Sequence, residues 1–312
     1  MANPAQVSAS ATASAQVRIS ARNMLVTIFG YTWRHWHDHL PSGALVELMG
    51  DFGVSPANAR ATLSRMAREG LLESAKSGRN TFYRVAGGTV ARVGTGTRRI
   101  VSRGDAGTWD GTWTVVLYSI PEERRDSRAG FREQLRREGF APFYDGAWIA
   151  PGRRSAAALR AVADLGVPQA SVLTVPDADL AAVGRAPLES WDLDAIGGQL
   201  RELRDRSDAV RRQAGGGMDP AAALVERAVL MARYRDVLAA DPGLPPAMMP
   251  PGWPRGEARA AFGKAFDALA PLAEARVREV LGRYGESLPP KVEAITTAEL
   301  AEVGELGPEL PV

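Results

Sequence analysis

Residues 42–85 read SGALVELMGDFGVSPANARATLSRMAREGLLESAKSGRNTFYRV. Leu45, Leu48 and Met49 recur at helical spacing, so Gly43–Met49 is expected as a short helix with Ser42 as its cap. Gly50-Asp51-Phe52-Gly53 is a turn. Ser55 is a good N-cap and Pro56 fits the first helical position, which opens a second helix running to about Glu69. Gly70 is placed to end it in the left-handed conformation. Leu71–Ser74 and Thr81–Val85 read as strands joined by the basic turn Lys76-Ser77-Gly78-Arg79-Asn80. The second helix keeps Ala59, Leu63 and Met66 on one side. Its other side carries Asn58, Arg60, Ser64 and Arg65, residue types that reach base edges and phosphates in a major groove. Helix, turn, helix and a two-stranded ribbon with a basic tip make up a winged helix-turn-helix. Ser55 and the unpaired N–H groups beside it suit a phosphate, and Arg79 at the hairpin tip can reach toward the adjacent minor groove or the backbone. A small helical subdomain with a solvated arginine face is the plainer alternative.

Outward from this stretch, Leu25, Ile28, Phe29, Thr32, Trp36 and Leu40 form one stripe, so Arg22–Leu40 is expected as a preceding helix stopped by Pro41. Residues 1–20 are rich in Ala, Ser and Gln and read as a flexible tail, not a secretory signal. The unit expected to bind DNA therefore spans residues 21–86. Net charge is only +2, but its distribution is uneven: from Arg18 to Arg103 the cations outnumber the acids, while the last thirty residues carry mostly Glu. A basic N-terminal third suits phosphate backbones.

Residues 87–110 contain six glycines and read as a linker. Thr112–Ile120 (TWTVVLYSI) is apolar on both alternating faces and reads as a central strand buried on both sides. A helix over Ser127–Glu138 follows, then a hairpin around Asp145-Gly146, a helix capped by Ser155, and a strand over Ala170–Val175. That βαββαβ order is the ferredoxin-like split unit, placed at residues 111–178. From there to residue 285 the chain reads as helical. Leu193, Ile196, Leu200 and Leu203 form one stripe, and Asp219-Pro220 starts a helix apolar around most of its circumference. Such a helix must be buried, in its own domain or against a second subunit. A proline-rich loop with Trp253 leads to a last helix from Arg255 toward Tyr284, kinked at Pro271. Residues 286–312 read as a loosely ordered tail. The fold class is α+β in three parts: an N-terminal winged helix-turn-helix, a central ferredoxin-like domain and a C-terminal helical domain.

Composition limits the chemistry. With 45% hydrophobic and 24% charged residues and no cysteine, disulfides and thiolate metal sites are excluded. No stretch approaches the ~20 apolar residues of a membrane span, so a cytoplasmic protein with no membrane partner is expected. There is no phosphate-binding loop of the Walker type, no HExxH and no GxSxG, so no enzyme and no cofactor are expected.

The sequence resembles the PaaX-like family, the repressors of phenylacetate catabolism and their relatives. The resemblance runs from about Asn23 to Tyr284. It is carried by MLVTIFGYTW, GVSPANARATLSRMAREGLLES and SGRNTFYRV, then by WDGTWTVVLYSIPEERRDSRAGFREQLRREGFAPFYDGAWIAP and MARYRDVLAADPGLPPAMMPPGWPRGEARAAF. A helix followed by DPxLP and then GWP is its most distinctive part. The resemblance implies a homodimeric repressor on a double-stranded, inverted-repeat operator, released by a small effector such as an acyl-CoA; phenylacetyl-CoA is the effector of the founding members. It places Asn58, Arg60, Ser64 and Arg65 in the recognition helix and Arg79 in the wing; Ser55 at the helix start and Lys76 in the basic turn complete the DNA-binding candidates read from the residues themselves. Dimerisation is expected in the central domain, and dimer and effector contacts in the helical one. Tyr234, Arg235 and Trp253, in the C-terminal signature, are effector candidates, since an arginine there suits a CoA phosphate or a carboxylate; a capping or interdomain role is the rival.

Two further chemistries are weighed. His35 and His39 are four apart on one helical face and can in principle clamp a metal, with Asp38 assisting; the alternative is that they flank a buried Trp36 at a helix end. The middle domain also resembles the small CRISPR-associated nucleases of ferredoxin-like fold, which makes a metal-dependent nuclease the runner-up. Those enzymes hold an Asp at the end of the first strand; here that place reads Tyr118-Ser119-Ile120-Pro121, with Glu122 and Glu123 beyond the proline.

Overall fold

The computed structural model describes Leu25 and residues 39–86, 109–181, 186–244, 248–285, 288 and 292–299. The N-terminal tail, nearly all of the helix expected over Arg22–Leu40 and nearly all of the expected linker lie outside the described residues.

The N-terminal unit comprises β1 (Leu40–Pro41), α1 (Ser42–Asp51), α2 (Pro56–Arg68), β2 (Leu72–Ser77) and β3 (Asn80–Val85), with sheet order β1-β3-β2. Leu40 does not close a helix as expected; it pairs with Tyr83 in a short strand, because a residue before proline is pushed out of the helical region. Ser42 is the first helical residue of α1 rather than its cap, and no side chain caps that end. Ser55 does cap α2: its hydroxyl accepts from the Asn58 N–H at 3.4 Å, with Pro56 in the first turn. Leu45, Leu48 and Met49 of α1 meet Leu63 and Met66 of α2 and Leu72 of β2 in one core.

The central unit runs β4 (Thr112–Ser119), α3 (Arg125–Arg137), β5 (Ala141–Tyr144), β6 (Ala147–Pro151), α4 (Ser155–Asp164) and β7 (Gln169–Pro176). Its antiparallel sheet has the order β5-β6-β4-β7, the interleaving of a ferredoxin-like βαββαβ. Val116 and Ile120 pack under Phe131 and Leu135 of α3 and Ala158 of α4. On the other face Trp113, Val115 and Ile149 lie under Leu244, Met249, Trp191 and Trp253. Burial on both faces holds only for the first half of β4. Leu117 is 42% exposed and Leu173, on the neighbouring strand opposite Val115, 45%. Ser155 also starts its helix without capping it; its hydroxyl lies 3.3 Å from that of Thr174.

A short helix, α5 (Asp177–Ala181), leads toward the C-terminal unit of α6 (Leu193–Gly215), α7 (Pro220–Ala240) and α8 (Arg255–Gly282). Asp192 and Asp219 cap α6 and α7 through the N–H groups of Ala195 and Ala222. The apolar circumference of α7 is used within its own chain: Leu230, Met231 and Leu238 pack with Phe262, Phe266 and Leu269 of α8, while Leu224 joins the core of the N-terminal unit. α8 continues through Pro271. Buried Arg227 lies flat on the Phe266 ring, 3.9 Å from its centroid, and donates to the Phe266 and Ile295 carbonyls. Burial pushes its guanidinium down to about 10, so it stays charged at neutral pH.

That last contact lies within the stretch 286–312 expected as a loosely ordered tail, of which residue 288 and residues 292–299 are described. Residues 292–299 lie against α8. Val292 is fully buried in the N-terminal core and Ile295 in the helical core. Arg278 holds the Val292 carbonyl, and Asp267 accepts from both the N–H and the hydroxyl of Thr297. The described part of this stretch is thus fixed by the buried side chains of Val292, Ala294 and Ile295 together with hydrogen bonds to α8.

Candidate DNA-binding surface

Pro56 presets the first turn of α2 and Ala59, Thr62, Leu63 and Met66 fix its rotation by facing the core. The opposite face presents Asn58, Arg60, Ser64 and Arg65, all exposed, together with Ala57, Ala61 and Arg68. Sequence reasoning did not single out those last three as surface residues. The i, i+3, i+4 spacing from Asn58 to Arg68 was the signal for them, and two alanines suit contact with a thymine methyl as well as arginines suit guanine. The hairpin beyond is tighter than expected. Ser77 pairs with Asn80, so Gly78-Arg79 alone makes the turn, with Gly78 at φ +59°. Lys76 therefore sits in β2 opposite Thr81, exposed like Arg79.

Charge is sorted across this unit. Among the described residues Arg60, Arg65, Arg68, Lys76 and Arg79 make no ion pair, whereas Arg84 is held by Glu73 at 2.7 Å. The acids of α1 face the other way. Asp51 takes a bidentate pair from Arg276 of α8, and Glu47 pairs with Arg283. The Asp51 carboxylate raises the Arg276 guanidinium above its ordinary value, with burial opposing. The outer face is left cationic and without internal partners, which is what a polyanion requires.

The other arginine-bearing groove is less available. It lies between α3 and β5, about 510 Å3 in volume, and contains Arg132, Arg136 and Trp148. Arg132 is tied to the Tyr118 hydroxyl and Asp145, and Arg136 lies over Trp148 beside Glu133.

The three effector candidates are not brought together in a cavity by the described residues. Tyr234 is buried and stacked on Phe262 with centroids 3.9 Å apart. Trp253 donates from Nε1 to Asp241 at 3.1 Å, and Arg235 is half-buried. The residue that links the DPxLP and GWP segments is Asp241: its carboxylate also binds Arg255, which holds the Leu244 carbonyl in turn. Asp38, His35 and His37 lie outside the described residues, and His39 is half-buried just before β1. Glu122 pairs with Arg128, and Glu123 is exposed in the short turn after β4.

Three family models match in chain order: PaaX-like protein over residues 20–88, PaaX protein central Cas2-like domain over 106–183, and PaaX-like protein C-terminal domain over 191–279. The chain belongs to the PaaX-like family. Within it, the transcriptional repressor PaaX of Escherichia coli (strain K12) is 24% identical over 275 residues, 84% of each chain. Among solved structures, an uncharacterized protein from Mycobacterium tuberculosis matches with a TM-score of 0.52 at 25% identity, covering 82% of this chain and 98% of that one. The PaaX-like central model coincides with the βαββαβ unit, and the PaaX-like C-terminal model ends within α8, three residues short of its last residue. Among the described residues no helix is long and apolar enough to cross a membrane.

Proposed function

We propose that this PaaX-like protein is a DNA-binding transcriptional repressor whose N-terminal unit is a winged helix-turn-helix. α2 enters a major groove through Asn58, Arg60, Ser64 and Arg65. The α2 N-terminus at Ser55 meets a backbone phosphate, and Lys76 and Arg79 on the wing reach the flanking backbone. The observation that carries this reading is the exposed face of α2 and the β2–β3 hairpin, where five cations have no ion-pair partner among the described residues while the acids of α1 are engaged with α8. The name of the Escherichia coli relative supports the repressor assignment. The same relationship disfavours the nuclease alternative.

The repressor acts as a homodimer, assembled through the central unit, on an inverted repeat. The open end of its sheet supports this, with Leu117 and Leu173 exposed together beside the edge strand β7. A small effector such as an acyl-CoA releases DNA by binding the off-DNA arrangement more tightly. Contact at Tyr234 requires the core around it to open, whereas Trp253 is half-buried.

The test is fluorescence anisotropy of the full chain on DNA from upstream of its own gene against scrambled DNA, at near-physiological salt, with and without phenylacetyl-CoA. Selective binding that weakens steeply with salt is expected, because each neutralised phosphate contributes a slope of about −0.9 in log K against log salt. Equal affinity for both DNAs, or no salt dependence, would refute it.

A further inference from the structure

The N-terminal unit is not held through the chain connection to the central unit alone. It is clamped to the far end of α8. Arg276 spans the junction with both Nε and Nη2 on Asp51, at 2.9 and 2.8 Å, and the two side chains are only 15% and 11% exposed. About two turns of helix farther along, Arg283 binds Glu47, and the Tyr284 hydroxyl lies 3.4 Å from the other Glu47 oxygen. The Tyr284 ring rests on Gly43 so closely that a Cβ there would stand 2.5 Å from it. Beneath these polar contacts Val277, Val280 and Leu281 share one core with Leu45, Leu48 and Met49.

The same α8 begins, 28 residues earlier, at the buried Asp241–Arg255 pair. One continuous helix therefore joins the helical domain's own core to the unit carrying α2. Apolar packing alone gives adhesion with little directional preference. A bidentate guanidinium–carboxylate pair fixes orientation as well, because both N–H groups must meet both oxygens. The cationic face of α2 points away from all of it.

We propose that the Asp51–Arg276 pair, backed by Glu47, Arg283 and Tyr284, is a latch: closed, it presents α2 in one pose relative to the rest of the molecule, and its opening is the regulated step that weakens binding to paired half-sites. This rests on the dimeric DNA-binding reading above. A rigid pose makes a dimer sensitive to the spacing of two half-sites, since only one separation places both helices in their grooves. An unlatched unit tolerates many spacings and binds the best one less tightly, because ordering it costs entropy at that moment.

The experiment uses the full chain and three variants: Asp51→Ala, Arg276→Ala and the two together. Amide hydrogen exchange is read without DNA over residues 42–51 and 276–284. Each single variant is expected to speed exchange there by roughly tenfold or more, and the double variant by little beyond either single, as for partners in one contact. Exchange over α6 should not change, which separates unlatching from unfolding. Anisotropy is then read on operators selected from a random library. Spacing is varied one base pair at a time, with a single half-site as control. The variants are expected to bind the single half-site within about twofold of the parent chain, and to lose roughly tenfold of its preference for the optimal spacing. Multiplicative effects in the double variant, unchanged exchange, or an undiminished spacing preference would each overturn the latch. A parent chain that binds no DNA would refute the repressor reading instead, and the exchange cycle would still decide whether the contact latches.

Discussion

Asp241→Ala should be among the most damaging single changes in the helical domain. Asp241 is 1% exposed, and its carboxylate is surrounded by donors: Arg255 Nε at 2.9 Å and Nη2 at 2.5 Å, Trp253 Nε1 at 3.1 Å and the Gly243 N–H at 2.7 Å. Alanine leaves the Arg255 guanidinium, 7% exposed, with only the Leu244 carbonyl. Removing one partner of a buried pair costs about 3–5 kcal/mol, mostly through the charge left behind. The two neutral donors add to this, but Trp253 is half-buried and water can reach it, so we expect a total of about 4–5 kcal/mol. At about 2–4 °C per kcal/mol for a unit of this size, Tm should fall by roughly 8–20 °C. Circular dichroism against temperature and urea measures both. Arg255→Met should cost less, since the carboxylate keeps Trp253 and Gly243. Asp241→Ala with Arg255→Met should cost at least about 1.5 kcal/mol less than the sum, because no orphaned charge remains. Additive costs, or a loss under about 1 kcal/mol for Asp241→Ala, would show that water already solvates the pair, and the reasoning would fail.

Four other outcomes are expected. Arg65→Ala should weaken operator binding by about 1–3 kcal/mol if it reads a base, with a smaller loss on random DNA; a uniform loss in anisotropy would assign it to phosphate. Ser55→Ala should cost about 1 kcal/mol of stability in urea unfolding, at the low end because its capping bond is 3.4 Å long. Thr62→Val should be neutral or stabilising by up to about 1 kcal/mol, since the buried Thr62 hydroxyl has no hydrogen-bond partner among the described residues; a loss would reveal a bound water there. Ending the chain at Tyr284 should lower stability by at least about 3 kcal/mol, the transfer value of Val292 and Ile295 together, and an unchanged Tm would show that segment to be dispensable.

Local signals were legible wherever a side chain acts on its own backbone. Ser55-Pro56, Asp219-Pro220 and the Asp145-Gly146 turn all read correctly because caps and tight turns are decided within four residues. The same logic failed at Ser42 and Ser155, where the preceding Pro41 and Arg154 already occupy the cap position and the serine becomes the first helical residue. The exposed face of α2 followed from periodicity alone. Long-range pairing did not. Nothing near Asp51 in sequence announces Arg276, 225 residues away, and nothing in a Pro- and Glu-rich segment announces that Val292 fills a core. Tyr234, Arg235 and Trp253 are effector candidates from their place in the C-terminal signature; that Trp253 donates to Asp241 and that Tyr234 stacks on Phe262 are long-range contacts of the same kind, which no local signal announces.

A net charge of +2 is small for a protein that binds a polyanion, and its arrangement explains why it suffices. Of the ten ionisable residues other than tyrosine in residues 40–86, Glu47 and Asp51 are neutralised by α8, and Glu73 and Arg84 neutralise each other. Five cations and Glu69 remain on or beside the outer face. The ion pairs that dock the unit are therefore also those that remove its negative charge. Pulling α1 off α8 would expose two carboxylates on the unit that carries α2, within reach of the phosphates' field at low salt. Unlatching would then weaken DNA binding twice, by freeing the pose and by making the mobile unit more acidic, and the second part alone should fade as salt is raised.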